Sequence, residues 1–153
     1  TVLEGDETST FWEVTLPQER RSTFAFPGLL YAPIIALVLA DPDAYVARYA
    51  EPDKSATGWG AGVEAWSAPY WTIDASMAVM TLLLAAESEG LGALFFAVGR
   101  NESMLRHGLG IPDSMQLLGA LAIGWPDRER TRAGRSAARP GRVAEQIIHR
   151  GRW

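Results

Sequence analysis

The chain has 153 residues, 48% hydrophobic and 21% charged, a composition that fits one globular domain able to bury a core without covalent staples. It contains no cysteine, which excludes disulfides, thiolate catalysis and cysteine-bearing metal sites and suits a reducing cytoplasm. The net charge of −4 is unevenly placed: 6 Lys/Arg stand against 15 Asp/Glu up to Trp125, and 8 Arg against 3 acids from Pro126 onward.

Thr1–Glu4 reads as the end of a strand running into a helix. Asp6, Thr8 or Ser9 caps that helix, which reaches about Glu13 with Phe11, Trp12 and Val14 turning inward. Residues 1–10 have neither the basic start nor the apolar centre of a secretory signal. With no initiator Met and a strand entered mid-course, we expect the parent protein to start upstream. Pro17 opens a short helical piece over Gln18–Thr23, ended by Pro27-Gly28. Ala32–Ala40 is a continuous apolar run of strand length with Pro33 near its start, which predicts an interior strand. Asp41 then caps a helix over Pro42–Tyr49.

Residues 51–70 carry Gly58, Gly60 and Gly62 but neither follow a strand directly nor contain the glycine–lysine–serine/threonine sequence of a phosphate loop. The segment reads as a mobile surface loop whose Trp59 and Trp66 make it either a lid or a hydrophobic anchor.

The stretch that organises the chain is Asp74–Glu89, stopped by Gly90-Leu91-Gly92. It is free of Gly and Pro and rich in strong helix formers, with Thr72 or Asp74 as N-cap and Gly90 as the left-handed C-cap residue. Between Ala75 and Ala86 only Ser76 and Thr81 are polar, so the helix is apolar on almost every face. It is too short and too closely flanked by acids to span a membrane, which makes it a core helix, buried within the chain or between subunits.

Downstream, residues 90–99 predict a short buried strand ending in an irregular turn at Ala97–Gly99. Asn101 caps a helix with Met104 and Leu105 inward, and Gln116–Trp125 predicts a second interior strand in which Gly119 and Gly124 mark a bulge or close backbone approach. The arginine-rich segment 126–153 resumes apolar character at Val143, Ile147 and Ile148, as an arm that packs against something. An arginine cluster on an acidic body either attracts a local anion or remains a solvated tail.

His107 and His149 stand alone, with no nucleophile elbow near them and no His-Glu-x-x-His pair, so neither a hydrolytic triad nor a metal site is predicted. Glu87 and Glu89 lie two apart on a helix and do not face one another. The acidic body and the lack of any reading motif argue against nucleic-acid binding. An apolar domain without catalytic side chains but with an arginine cluster favours an organic cofactor that performs the chemistry itself.

Residues 70–126 resemble the second half of the nitroreductase-like FMN flavoproteins. The marks are an Asp-started apolar helix, Gly90-Leu91-Gly92, an apolar strand, a short helix ending in Leu109-Gly110-Ile111-Pro112, and a strand closing in Gly124-Trp125-Pro126. The tail around Gly134–Arg139 and Glu145–His149 resembles that family's C-terminal segment. The resemblance implies an α+β fold: a mixed, mostly antiparallel sheet flanked by helices around a central apolar helix, in a single domain over 1–153 with a C-terminal arm. It implies FMN as cofactor, with Arg139, Arg135 and Ser136 holding the phosphate and the backbone of Ala97, Val98 and Gly99 approaching the ring near N5. Trp66, Tyr70 and Trp71 would lie at the substrate entrance. The implied activity moves hydride from NAD(P)H through flavin N5 to a small acceptor such as a nitroaromatic or quinone, in a cytoplasmic homodimer. A non-catalytic flavin-binding or sequestering protein, or a partner subunit of the same fold, is the rival. The family's N-terminal Arg/Ser phosphate motif and its Pro-Ser…Asn…Gln-Pro-Trp segment do not occur here, which implies a domain lacking its N-terminal portion or completed by another chain.

Overall fold

The sheet is built on the two long apolar runs. In the computed structural model, which describes residues 1–127 and 138–153, β2 (Ile34–Ala40) and β4 (Gln116–Gly124) form its centre. β1 (Val2–Glu4) pairs with the outer side of β2 and β3 (Gly92–Phe96) with the outer side of β4, in the order β1-β2-β4-β3. The sheet, expected to be mixed and mostly antiparallel, is antiparallel in every described pair.

Both glycines flagged in β4 mark close approaches. Register along β2 and β4 shifts after Val38↔Gly119, so the next pair is Leu39↔Leu117. Gly119 sits at that bulge with φ 155°, and a Cβ there would lie 2.6 Å from the Phe96 carbonyl oxygen and 2.8 Å from the Phe95 ring. A Cβ on Gly124 would meet Pro33 Cδ at 2.6 Å.

Side-chain alternation divides the sheet into two faces. Ile35 and Leu37 of β2 and Ala120 and Ala122 of β4 pack with Phe11 and Trp12 of α1 (Thr8–Thr15) and with Leu105 of α5 (Glu102–Leu109). Phe11 and Trp12 meet edge to face at 4.9 Å, and Trp12 stacks nearly parallel to Phe96 at 6.0 Å. Between α1 and β2 lie the single turn α2 (Gln18–Arg21) and a 3-10 turn at Pro27–Tyr31. Asn101 precedes α5 in a left-handed conformation, and its Nδ2 donates to the Val14 carbonyl at 2.8 Å instead of capping the helix. Leu105 is fully buried as expected, but Met104, expected inward, is 62% exposed. One apolar position per turn suffices to seat so short a helix.

The spine helix, α4, runs over Tyr70–Ser88 and begins one turn earlier than expected, directly after Pro69. Its C-terminus is a Schellman motif: Gly90 N–H bonds to Glu87 O, Leu91 N–H bonds to Ala86 O, and Gly90 takes φ 74°. The helix packs on β2 and β3 through Trp71, Val79 and Ala86. Burial within this chain ends there. Ile73, Met77, Met80 and Leu84, spaced four, three and four apart, form an outward stripe that is open to solvent, with Met77 64% and Leu84 60% exposed. Strand β3, expected to be buried, is an edge strand whose Leu94 and Phe95 are likewise partly open. Among the described residues no helix is long and apolar enough to cross a membrane.

Candidate functional site

Antiparallel register decides which segments share an end of the sheet. β3 leaves its ladder at Phe96↔Ala120, and β4 continues back to Gln116, which pairs with Ala40 at the end of β2. The Ala97–Gly99 turn therefore lies at the same end of the sheet as Gln116, Ala40 and the start of α4. Past Phe96 the ladder no longer holds this backbone, Ala97 and Gly99 are exposed, and a Cβ placed on Gly99 would meet nothing within 4 Å. The turn is irregular, as the sequence predicts, and exposed at Ala97 and Gly99.

The same end carries an aromatic assembly. α3 (Pro42–Ala50), capped by the Asp41 side chain on Ala44 N–H, supplies Tyr45 and Tyr49. Residues 51–70, read from the sequence as a surface loop acting as a lid or a hydrophobic anchor, contain three 3-10 turns at Ser55–Thr57, Trp59–Ala61 and Val63–Ala65 before α4 begins. Trp66 is the hub of the assembly, 4.7 Å from Tyr49, 4.8 Å from Trp59, 5.8 Å from Tyr45 and 6.0 Å from Trp71 between ring centroids. Its indole N–H donates to the Trp59 carbonyl at 3.0 Å. Of the glycines that imitate a phosphate loop, Gly60 has a packing reason: a Cβ there would fall 2.5 Å from Ala50 Cα, so glycine is what lets the loop close on α3. Arg48 anchors the start of the loop with two 2.8 Å bonds to Asp53, which hold that carboxyl below its usual range.

Of the three residues expected at a substrate entrance, Tyr70 is 38% exposed, whereas Trp66 and Trp71 are each 9% exposed. Trp71 donates its indole N–H to Gln116 Oε1 at 2.9 Å. The two tryptophans thus form the inside of this wall, and Tyr70 presents its surface. Sequence reasoning missed Tyr45 and Asp74: Tyr45 Oη donates to Asp74 Oδ2 at 2.5 Å. That bond, with partial burial and the carboxylate's charge adding to it, pushes the phenol up to about 12. The available signal was Asp74 itself, the single charged residue between Tyr70 and Ala86.

Arg135 and Ser136 lie outside the described residues. Arg139 is exposed on the arm, as are all of residues 138–153, so Val143, Ile147 and Ile148 make no core contact within the described chain. The described residues contain no cluster of metal-ligating side chains. Trp125 lies at the far end of the sheet, where an open apolar groove is lined by Phe24, Phe26, Tyr31 and Leu94 and by none of the described residues expected at the cofactor or the substrate entrance.

A search of curated protein sequences finds no match. Solved structures do match in fold. The FMN-dependent nitroreductase of Clostridium difficile R20291 aligns over all of this chain and 75% of its own, at 17% identity and a TM-score of 0.59. NfrA2 of B. megaterium aligns over all of this chain and 57% of its own, at 18% identity and a TM-score of 0.63. The nitroreductase CinD of Lactococcus lactis, solved in complex with 4-nitrophenol, aligns over 94% of this chain and 74% of its own, at 21% identity and a TM-score of 0.55. The family model for nitroreductases matches residues 7–125, from the turn before α1 through β4. With its antiparallel sheet, apolar spine helix and open turn after β3, the chain belongs to the nitroreductase family.

Proposed function

We propose that the chain is an FMN-dependent oxidoreductase that passes reducing equivalents from NAD(P)H to a small planar acceptor such as a nitroaromatic or quinone. Family membership over residues 7–125 is the observation that carries this reading. The residues present suit the cofactor at two points. The open backbone of Ala97–Gly99 suits the edge of a flat ring, and the exposed Arg139 suits a phosphate, which a guanidinium binds through fork-shaped, charge-assisted bonds. Arg135 and Ser136 would join Arg139 there.

When bound, FMN supplies two-electron chemistry between the nicotinamide and the acceptor. The protein's part is placement and electrostatics. Backbone N–H groups at Ala97–Gly99 would stabilise negative charge on the ring edge, and β3 fixes that turn by its pairing with β4. Tyr70, with Trp66 and Trp71 behind it, would form the substrate entrance. The outward stripe of α4 and the exposed apolar residues of the arm support a homodimer in which each would be covered by the second copy.

The rival reading, a flavin-binding protein that does not turn over, shares this site. A steady-state assay with NADH or NADPH and a quinone separates the two. Nicotinamide oxidation that depends on both FMN and quinone is expected. Bound FMN without turnover would favour sequestration.

A further inference from the structure

One polar bond ties α3 to α4, and neither helix needs it in order to form. α3 has its cap from Asp41, and α4 is built of strong helix formers. Tyr45 Oη nevertheless donates to Asp74 Oδ2 across 29 residues of sequence. A phenylalanine would pack against Trp66 and Trp71 as Tyr45 does, at 5.8 and 6.2 Å, so ring packing alone explains neither the hydroxyl nor the carboxylate.

Position on the helix suggests the purpose. Tyr70 and Asp74 are four residues apart in α4 and so share a face. Holding Asp74 fixes the turn from which Tyr70 projects. Tyr70 in turn lies nearly parallel to Trp59, at 22° and 6.1 Å, and Trp59 is held at 5.2 Å from Tyr49 on the same helix as Tyr45. The tie thus spans the two supports of one aromatic surface.

We propose that Tyr45 and Asp74 are positioning residues, whose bond orients Tyr70 and Trp59 as a π surface that takes a planar, electron-poor aromatic acceptor. Electron-poor rings stack favourably on the electron-rich faces of tyrosine and tryptophan. The role of this surface as an acceptor site rests on the oxidoreductase reading above; its capacity to bind the ring does not.

The test uses the native-length, FMN-loaded protein with Tyr45→Phe, Asp74→Ala and Asp74→Asn. Calorimetry gives the dissociation constant of 4-nitroanisole, and kinetics give KM and kcat for 4-nitroanisole and for ferricyanide, an acceptor without a ring. Tyr45→Phe and Asp74→Ala should raise Kd and KM for 4-nitroanisole about tenfold, the effect of roughly one lost hydrogen bond to a charged group. Parameters for ferricyanide should stay within about twofold on the same energy scale. Asp74→Asn should fall between, because its amide oxygen still accepts from Tyr45. Unchanged Kd in the first two variants, equal losses with both acceptors, or no binding to the parent protein would overturn the proposal and leave the oxidoreductase reading intact. Binding that depends on Tyr45 in a protein without turnover would leave the proposal standing and overturn that reading.

Discussion

The indole N–H of Trp71 and the hydroxyl of Thr72 converge on one acceptor, Gln116 Oε1, at 2.9 and 3.1 Å. Through it the first turn of the spine helix is fastened to the first residue of β4, one strand away from the open turn after β3. Trp71 is buried, so removing the acceptor leaves its N–H unpaired away from water. Gln116→Ala is expected to lower unfolding free energy by about 1–3 kcal/mol in urea titrations. An unchanged midpoint and slope would show that water replaces the bond at no cost.

Tyr45 offers a titration of the tie itself. Its phenol is pushed up to about 12, first by donation to the Asp74 carboxylate, then by burial and the nearby negative charge. Because the folded pKa lies above the ordinary value near 10, the bond's contribution to stability is complete below about pH 10 and is lost as pH rises through about 12. Ultraviolet titration should show a tyrosine step near pH 12, and Tyr45→Phe should remove that step. Asp74→Asn should move it down. A step that survives Tyr45→Phe would assign it elsewhere.

The stripe on α4 makes a different prediction. Met80 and Leu84 are exposed within the single chain, so a carboxylate there need not disturb the core. The sequence predicts a helix buried within the chain or between subunits, and these two residues are not covered within the chain. Their position now predicts a folded monomer from Leu84→Glu and a dimer from the parent protein, since a buried unpaired carboxylate at an interface costs several kcal/mol. Light scattering after gel filtration decides; a parent protein that is monomeric at low micromolar concentration contradicts it.

Arg139→Ala should weaken FMN binding by about 1.5–3 kcal/mol, the value of a hydrogen bond to a charged group, and riboflavin binding much less, because riboflavin has no phosphate. Fluorescence titration of both ligands provides the comparison. Equal losses would remove Arg139 from the phosphate site.

Local signals carried much of the fold. Pro and Gly punctuation with unbroken apolar runs located β2 and β4, and Asp41 and Gly90 marked a helix start and a helix stop where the structure has them. Side-chain direction was harder to read. In the sequence, Met77 and Val79 are equally apolar, yet only Val79 faces the sheet. Periodicity reports an apolar face but not whether the same chain covers it. Within residues 51–70 the sequence leaves lid and anchor open for a related reason: the order of the segment comes from rings contributed by α3 and α4, so its own sequence shows only glycines and isolated tryptophans. The Tyr45–Asp74 bond is likewise a long-range pairing without a local signature. Of the site, the irregular turn at Ala97–Gly99 was legible because the short apolar run before it is bracketed by glycines. The placement of Trp66 and Trp71 behind Tyr70 was not.

The central claim is tested most directly by anaerobic reduction. The protein is loaded with FMN, freed of excess flavin, and its visible spectrum followed as NADH or NADPH is added and then a quinone. Loss of the oxidised flavin band with one of the nicotinamides, and its return with the quinone, is the predicted result. Bound FMN that stays oxidised under both nicotinamides, or a protein that retains no FMN, would contradict the account.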